Sequence, residues 1–151
     1  PLQPGDIQQD PARDDAVLDE LGLVEALRAR VRQYDSPTLT VRLEAPAALP
    51  TLSAAAEVAA YRIAEEALAN VARHAGASQC RVRLRVADVL ELTIDDDGSG
   101  IDPTARAGLG LRSMRERAEE LGGTYEIGSG EDGGTRIQAR LPLGWEEPDV
   151  V

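Results

Sequence analysis

Residues 61–75 read YRIAEEALANVARHA. Apolar side chains recur through the stretch at helical spacing, and a polar stripe runs beside them. Arg62, Glu66, Asn70, Arg73 and His74 fall at i, i+4, i+8, i+11 and i+12, so an α-helix would set them on one face. Glu66 precedes Asn70 by one turn, which pairs a proton acceptor with a neutral metal ligand. Asparagine is a poor residue for a helix interior, so its presence asks for a reason. Standing alone, the stripe is better explained as a solvated helix face. It becomes a site only if the rest of the chain supplies a ligand for it.

The flanking sequence sets the elements around this helix. Ser53 suits an N-cap for a helix running to about His74, closed by Ala75 and Gly76. Upstream, Leu39, Val41 and Leu43 alternate with polar residues and predict a half-buried strand, followed by a loop bracketed by Pro46 and Pro50. Residues 18–34 place Leu18, Leu21, Leu23, Val24, Ala26, Leu27 and Val31 on a helix interrupted near Gly22. Downstream, residues 79–86 alternate cleanly, and residues 89–96 put Leu90, Leu92, Ile94 and Asp96 on one face, with Ala87 and Asp88 as the turn. Residues 97–110 form a glycine-punctuated loop. Residues 111–121 predict a helix with Leu111, Met114, Ala118 and Leu121 inward, stopped by Gly122 and Gly123. Two last strands carry Tyr125 and Ile127, then Ile137, Ala139 and Leu141, joined by SGEDGG. Hairpin strands beside grouped helices predict an α+β two-layer sandwich, with helices on one face of a mixed, mainly antiparallel sheet.

Composition narrows the partners. The 151 residues carry a net charge of −11, and all 16 basic residues are arginine. Such acidity argues against nucleic acid, whose phosphates need a basic face, and suits a partner with basic surface. The lone cysteine, Cys80, excludes an internal disulfide and alternates with Val82, Leu84 and Val86 as a core residue would. No apolar run approaches the roughly 20 residues of a membrane span, and no signal peptide is visible. Pro1 is not a translational start, so the chain is expected to be a piece of something longer. Residues 1–17 read as linker or tail, 18–145 as one domain and 146–151 as a fraying acidic tail.

Three further motifs could hold a ligand. In DDDGSG, Asp96 shares its parity with Leu90, Leu92 and Ile94, and a carboxylate aimed into an apolar layer is costly unless paired. An adenine exocyclic amine is a suitable partner, and Gly98 and Gly100 admit close approach. A polar turn ending a strand explains the motif about as well. Gly108, Leu109, Gly110 and Leu111 lie directly before a helix, whose free amides bind phosphate; a plain glycine loop is the commoner explanation. No Rossmann fingerprint or P-loop is present, and the chain has no lysine. Gly133, Gly134 and Thr135 open the last strand. They read either as a hairpin turn or as a floor that sets the Thr135 hydroxyl beside Asp96.

The order of these motifs, ExxxN on a helix, DxGxG after a strand, GLGL before a helix and GT at the last strand, resembles the GHKL ATPase superfamily. That group spans histidine kinases, type II topoisomerases, heat-shock 90 chaperones and mismatch-repair ATPases, and its fold is the Bergerat α/β sandwich. The resemblance covers roughly residues 21–143. The segments LGLVEALRARV, AYRIAEEALANVARHAGAS, GLGLRSMRERAEELGGTYEI and GTRIQARLPL are similar to the catalytic, ATP-binding domain of bacterial two-component sensor histidine kinases, in the branch of nitrate and membrane-fluidity sensors.

The resemblance implies roles. Asn70 would ligate Mg²⁺, Glu66 would orient or deprotonate the attacking group, and Arg73 and His74 would lie near the phosphates. Asp96 would read the adenine amine, with Gly98 and Gly100 shaping that wall. The GLGL run 108–111 would serve the phosphates, and Thr135 would support the adenine site. ATP and Mg²⁺ are the implied cofactors, phosphoryl transfer the chemistry. The stretch between Gly100 and Gly108, IDPTARA, would be a short ATP lid with Arg106 its sole cation, either a phosphate contact or merely solvated. The family's acceptor histidine sits on a dimerising helical hairpin, and the only histidine here is His74. The chain is therefore expected to bind ATP without autophosphorylating, as a monomeric domain. Its partners would be the hairpin of a cytoplasmic, homodimeric kinase and, through it, a response regulator. The missing hairpin could also supply acid–base residues, which leaves the role of Glu66 open. Two alternatives remain at this stage: an anti-sigma-factor serine kinase, and a non-catalytic nucleotide-binding module.

Overall fold

Alternation builds the sheet from its centre. In the computed structural model, which describes residues 11–100, 110–130 and 133–143, strands β2 (Gln79–Val86) and β3 (Val89–Asp96) pair antiparallel with Val82 opposite Ile94 and Leu84 opposite Leu92. Their inward residues Cys80, Val82, Leu84, Leu90, Leu92 and Ile94 are all buried. Strand β5 (Thr135–Pro142) pairs antiparallel with the other side of β3, bringing Ile137 and Ala139 into the same layer, and β4 (Thr124–Ser129) closes that edge. Strand β1 (Thr40–Glu44) joins β2 in parallel, giving the order β1-β2-β3-β5-β4. A parallel pair needs a crossover long enough to span the sheet. Helix α2 (Ala54–Asn70) supplies it. The expected mixed, mainly antiparallel α+β sandwich is the fold observed.

Helix α2 starts where the sequence places it, because the Ser53 hydroxyl accepts from the Ala56 N–H at 3.1 Å. Its buried face is mostly small, with Ala56, Ala59, Ala60, Ala64 and Ala67 beside Ile63 and Leu68. Helix α1 (Pro11–Tyr34) packs on α2 and is broken at Gly22, whose φ of 78° and ψ of 170° lie outside helical space. The predicted interruption is there. The start is earlier than expected: residues 11–16, read as linker for their polarity, are helical. Proline suits a first helical position.

Helix α3 (Leu111–Glu120) buries Leu111, Met114 and Ala118, while Leu121 is only partly covered. Gly122 and Gly123 stop it as predicted, with the Gly123 N–H donating to the Ala118 carbonyl at 2.9 Å. A Cβ on Gly123 would overlap the Arg140 carbonyl oxygen, so this corner requires glycine.

The helices cover one face of the sheet. The other carries cross-strand ion pairs: Arg83–Glu44 at 2.9 Å, Arg136–Asp95 at 2.6 Å and Arg140–Glu91 at 3.4 Å. A 240 Å³ concavity there is lined by Arg42, Arg81, Arg136, Glu44 and Asp95 among others. These charges largely answer one another, as on a solvated sheet face. At the edge of that face Asp97 caps the entry to β2. Its carboxylate accepts from the Ser78 hydroxyl at 2.7 Å, the Ser78 N–H at 2.8 Å and the Gln79 N–H at 2.9 Å.

The Ser78 hydroxyl, then the Gln79 N–H, hold the Asp97 carboxyl below its ordinary value. A depressed carboxylate contributes stability above its unfolded pKa and loses it as pH falls through the folded one. Urea midpoints measured from pH 7 down to pH 3 should therefore converge: Asp97→Asn is less stable than wild type near neutrality, and the gap closes below about pH 4. A gap that is constant across the range contradicts this role.

Candidate functional site

Two clusters form at one end of the sandwich, one at the ends of β3 and β5, the other where α2 meets the start of α3. The first is built around Asp96, whose parity aims it into the apolar layer as the sequence predicts, leaving it 7% exposed. The β3–β5 ladder ends at the pair Asp95 and Arg136. One step further, the Thr135 N–H turns to the Asp96 carboxylate and donates to Oδ1 at 3.4 Å; the Gly98 N–H donates to the same oxygen at 2.8 Å. Thr135 thus joins Asp96 as expected, with the recorded bond made by its backbone amide rather than its hydroxyl. Burial pushes the Asp96 carboxyl up, and the Gly98 and Thr135 amides partly offset this. The same burial, with Asp96 adjacent, pushes the Cys80 thiol up to about 12, which keeps it protonated and inert.

Close approach here demands glycine at position 134. A Cβ on Gly134 would overlap the Asp96 carbonyl oxygen and lie 2.7 Å from Asp96 Oδ1. The signal was present in the doubled glycine before Thr135. Gly100 has a φ of 83°, which a side chain would strain.

The second cluster joins α2 to α3. Gly110 occupies the N-cap of α3 with φ 70°, and its carbonyl accepts from the Met114 N–H at 3.1 Å. The side chain of Glu66 lies against it: a Cβ on Gly110 would overlap Glu66 Oε1 and lie 2.7 Å from Cδ. The glutamate of ExxxN thus lies directly against the second glycine of the GLGL run. Asn70 ends α2 one turn after Glu66 and is 6% exposed. Leu111 is buried at the start of α3, so it anchors the helix rather than facing a ligand directly. Gly108, Leu109 and Arg106 lie outside the described residues.

The polar stripe is not the single face that α-helical arithmetic implies. After Asn70 the chain forms a π-helical turn, Val71–Ala75, ended by left-handed Gly76. A π turn bonds i to i+5, so side chains past Asn70 lose the phase of those before it. Arg73 is exposed, and its Nε donates back to the Ala69 carbonyl at 3.3 Å. The backbone of His74 lies in this turn; its side chain is outside the described residues. Arg62 is drawn off the stripe as well, with Nη1 3.2 Å from Glu65 Oε1.

Sequence reading also missed a buried charge cluster behind this end of α2. Glu65, 2% exposed, meets Arg30 of α1 at 2.6 Å and Arg62 at 3.2 Å. Arg30 Nε donates to the Tyr61 hydroxyl at 2.6 Å. The available signal was position, since Glu65 follows Tyr61 by one turn on the buried side.

The donor chemistry fits a hard cation held jointly with phosphate. The carboxylate of Glu66 and the carboxamide of Asn70 are oxygen donors, the type Mg²⁺ takes one or two at a time beside phosphates and water. Among the described residues no group of three or more His, Cys, Asp or Glu could hold a metal by itself.

Comparison with known proteins identifies the family. Residues 55–144 match the family described as histidine kinase-, DNA gyrase B- and HSP90-like ATPase. The sensor histidine kinase MctS of Rhizobium johnstonii is 39% identical over 139 residues, covering 87% of this chain and 30% of that protein. The sensor protein VraS of Staphylococcus epidermidis is 42% identical over 90 residues, covering 58% of this chain and 26% of that protein. The chain thus spans about a third or less of these relatives. Among solved structures, the ATP-binding domain of PrrB from Mycobacterium tuberculosis superposes with a TM-score of 0.61 at 28% identity, covering 82% of this chain and 92% of that one. A blue-light-activated histidine kinase from Erythrobacter litoralis shares the fold, with a TM-score of 0.67 at 23% identity over 81% of this chain and 41% of that one. The chain belongs to the histidine kinase-, DNA gyrase B- and HSP90-like ATPase family.

Proposed function

We propose that this chain is the ATP-binding catalytic domain of a sensor histidine kinase. It would bind Mg-ATP across the two clusters and donate the γ-phosphoryl group to a histidine on a separate helical hairpin, for relay to an aspartate of a response regulator. The observation that carries the reading is Asp96: a buried carboxylate whose recorded hydrogen bonds, from Gly98 and Thr135, both fall on Oδ1. Oδ2 is then the acceptor for an adenine exocyclic amine, the neighbour that makes burial of the charge worthwhile. Gly98 and Gly100 would shape the wall against which the base lies.

At the other end, Asn70 and Glu66 would meet the metal and the phosphates beside Gly110. When bound, Mg²⁺ supplies charge neutralisation for the transferring phosphoryl group. The protein's part is mainly positioning, which is most of what phosphoryl transfer requires. Glu66 would accept the proton of the attacking imidazole or orient it, a role the acceptor hairpin could share. Arg73 and His74 would serve the phosphate side from the π turn, and the 108–111 run would close over the phosphates. The relatives bear the names sensor histidine kinase and sensor protein, which favours this reading over a serine kinase of the anti-sigma type. Among the described residues no helix is long and apolar enough to cross a membrane. The domain would lie in the cytoplasm, as the resemblance to sensor kinases implies.

Asp96→Asn tests the adenine contact. The neutral amide can still accept from Gly98 and Thr135, but it turns a donor toward the base. Loss of one hydrogen bond to a charged group is worth about 1.5–3 kcal/mol, so calorimetry should register ATP binding weakened by about 10-fold to 150-fold. Because the Asp96 carboxyl is pushed up in the fold, its stability contribution is full below the ordinary carboxylate value and lost as pH rises through the raised one. Near neutrality the variant should therefore unfold no earlier than wild type. Wild-type ATP affinity in a folded Asp96→Asn protein would refute the assignment.

A second experiment addresses the reaction. ATP carrying a radiolabelled γ-phosphate should leave this chain unlabelled and, on addition of a separately produced acceptor hairpin, label the hairpin in an acid-labile, base-stable form. Acid-stable labelling on serine would instead favour a protein-serine kinase.

A further inference from the structure

Two adjacent carboxylates of α2 have opposite environments. Glu66 faces Gly110, while Glu65 is buried against α1 between two guanidinium groups. Arg30 makes the shorter of the two contacts. Its Nη2 is 2.6 Å from Glu65 Oε2, its Nε donates to the Tyr61 hydroxyl at 2.6 Å, its Nη1 donates to Gln33 Oε1 at 2.9 Å, and its guanidinium lies 5.7 Å from the Tyr61 ring centre. One side chain of α1 is therefore fixed to two consecutive turns of α2, those at Tyr61 and Glu65.

A buried ion pair is a poor source of stability. Desolvation offsets the attraction, and apolar residues of similar volume often do as well or better. What such a fork does supply is direction. Successive residues of an α-helix point about 100° apart, from 3.6 residues per turn. Holding Glu65 toward α1 therefore fixes the rotation at which Glu66 meets Gly110, and with it Asn70 one turn later. A catalytic constellation tolerates only about 10–20° of misorientation. The α-helical ladder gives way to a π turn directly after Asn70, so register there has to be held from the side. Tyr34 closes α1 one turn after Arg30, and its half-buried setting raises its hydroxyl above the ordinary value.

We infer that Arg30 is a positioning residue of the nucleotide site: by clamping Glu65 it sets the rotation of α2, so that the packing of α1 on α2 determines how the metal and phosphate end of bound ATP is held. This rests on the Mg-ATP reading above. It predicts an effect confined to the phosphate end, since the Asp96 cluster belongs to β3 and β5.

The test is the double variant Arg30→Met/Glu65→Leu, which replaces the pair with apolar residues of similar size. Thermal unfolding should show a folded protein close to wild type. Calorimetry should show Mg-ATP affinity reduced by about 10-fold to 100-fold, the range for loss of residues that orient metal ligands. Adenosine affinity should stay within about twofold, because adenosine reads only the Asp96 end. Arg30→Lys keeps the charge and loses the fork; it should fold and show the same selective loss, smaller in size. Equal losses for adenosine and Mg-ATP would mean a merely structural role and overturn the inference, as would wild-type Mg-ATP affinity in either folded variant. Wild-type protein titrated in parallel separates the two claims: if it fails to bind Mg-ATP, the function reading itself falls.

Discussion

A carboxylate that points into an apolar layer dictates the geometry around it. Asp96 follows Leu90, Leu92 and Ile94 on the inward side of β3, and the charge is tolerable only because two backbone amides converge on it. That requirement fixes the neighbouring segments. The Gly98 turn must fold back over its own strand. β5 must begin at Thr135, where its first amide reaches the carboxylate. The residue before it must be glycine, since any side chain at Gly134 would collide with Asp96. The surroundings of the buried carboxylate and the register of the β3–β5 pair are thus one constraint seen from two sides.

The opposite end of the site is set by a second close fit. The Glu66 carboxylate occupies the space that a side chain at Gly110 would enter. This couples α2 to the start of α3, whose N-cap Gly110 is left-handed. In the proposed reading the sheet carries the adenine end and the helices the phosphate end. A nucleotide spanning both reports on how the two layers sit together, and the Arg30–Glu65 clamp gives α1 a say in that arrangement.

Local patterns were legible from the residues. Alternation identified β2 and β3 and the inward parity of Asp96. Ser53 announced the start of α2, Gly22 the break in α1, and Gly122 with Gly123 the end of α3. Features set by tertiary contact were not legible. VARHA fits an α-helix as well as a π turn, so the stripe was extended through Arg73 and His74 by arithmetic that the backbone abandons at Asn70. Arg62 and Glu65 look like ordinary helix-surface charges until α1 brings Arg30 against them. The helical start at Pro11 was hidden by polar composition, which separates linker from solvated helix poorly. The Thr135 contact was assigned to the hydroxyl because side chains are what a sequence displays, whereas the recorded bond is the amide's.

The central claim is that one nucleotide bridges both clusters. Amide and side-chain amide resonances of isotope-labelled protein, followed during titration with Mg-ATP, address it directly. The account predicts that Gly98 and Thr135 shift together with Gly110 and the Asn70 carboxamide along one saturation curve. Adenosine should move only the first pair. Shifts at Gly110 and Asn70 without any at Gly98 and Thr135, or two curves of different affinity, would contradict it.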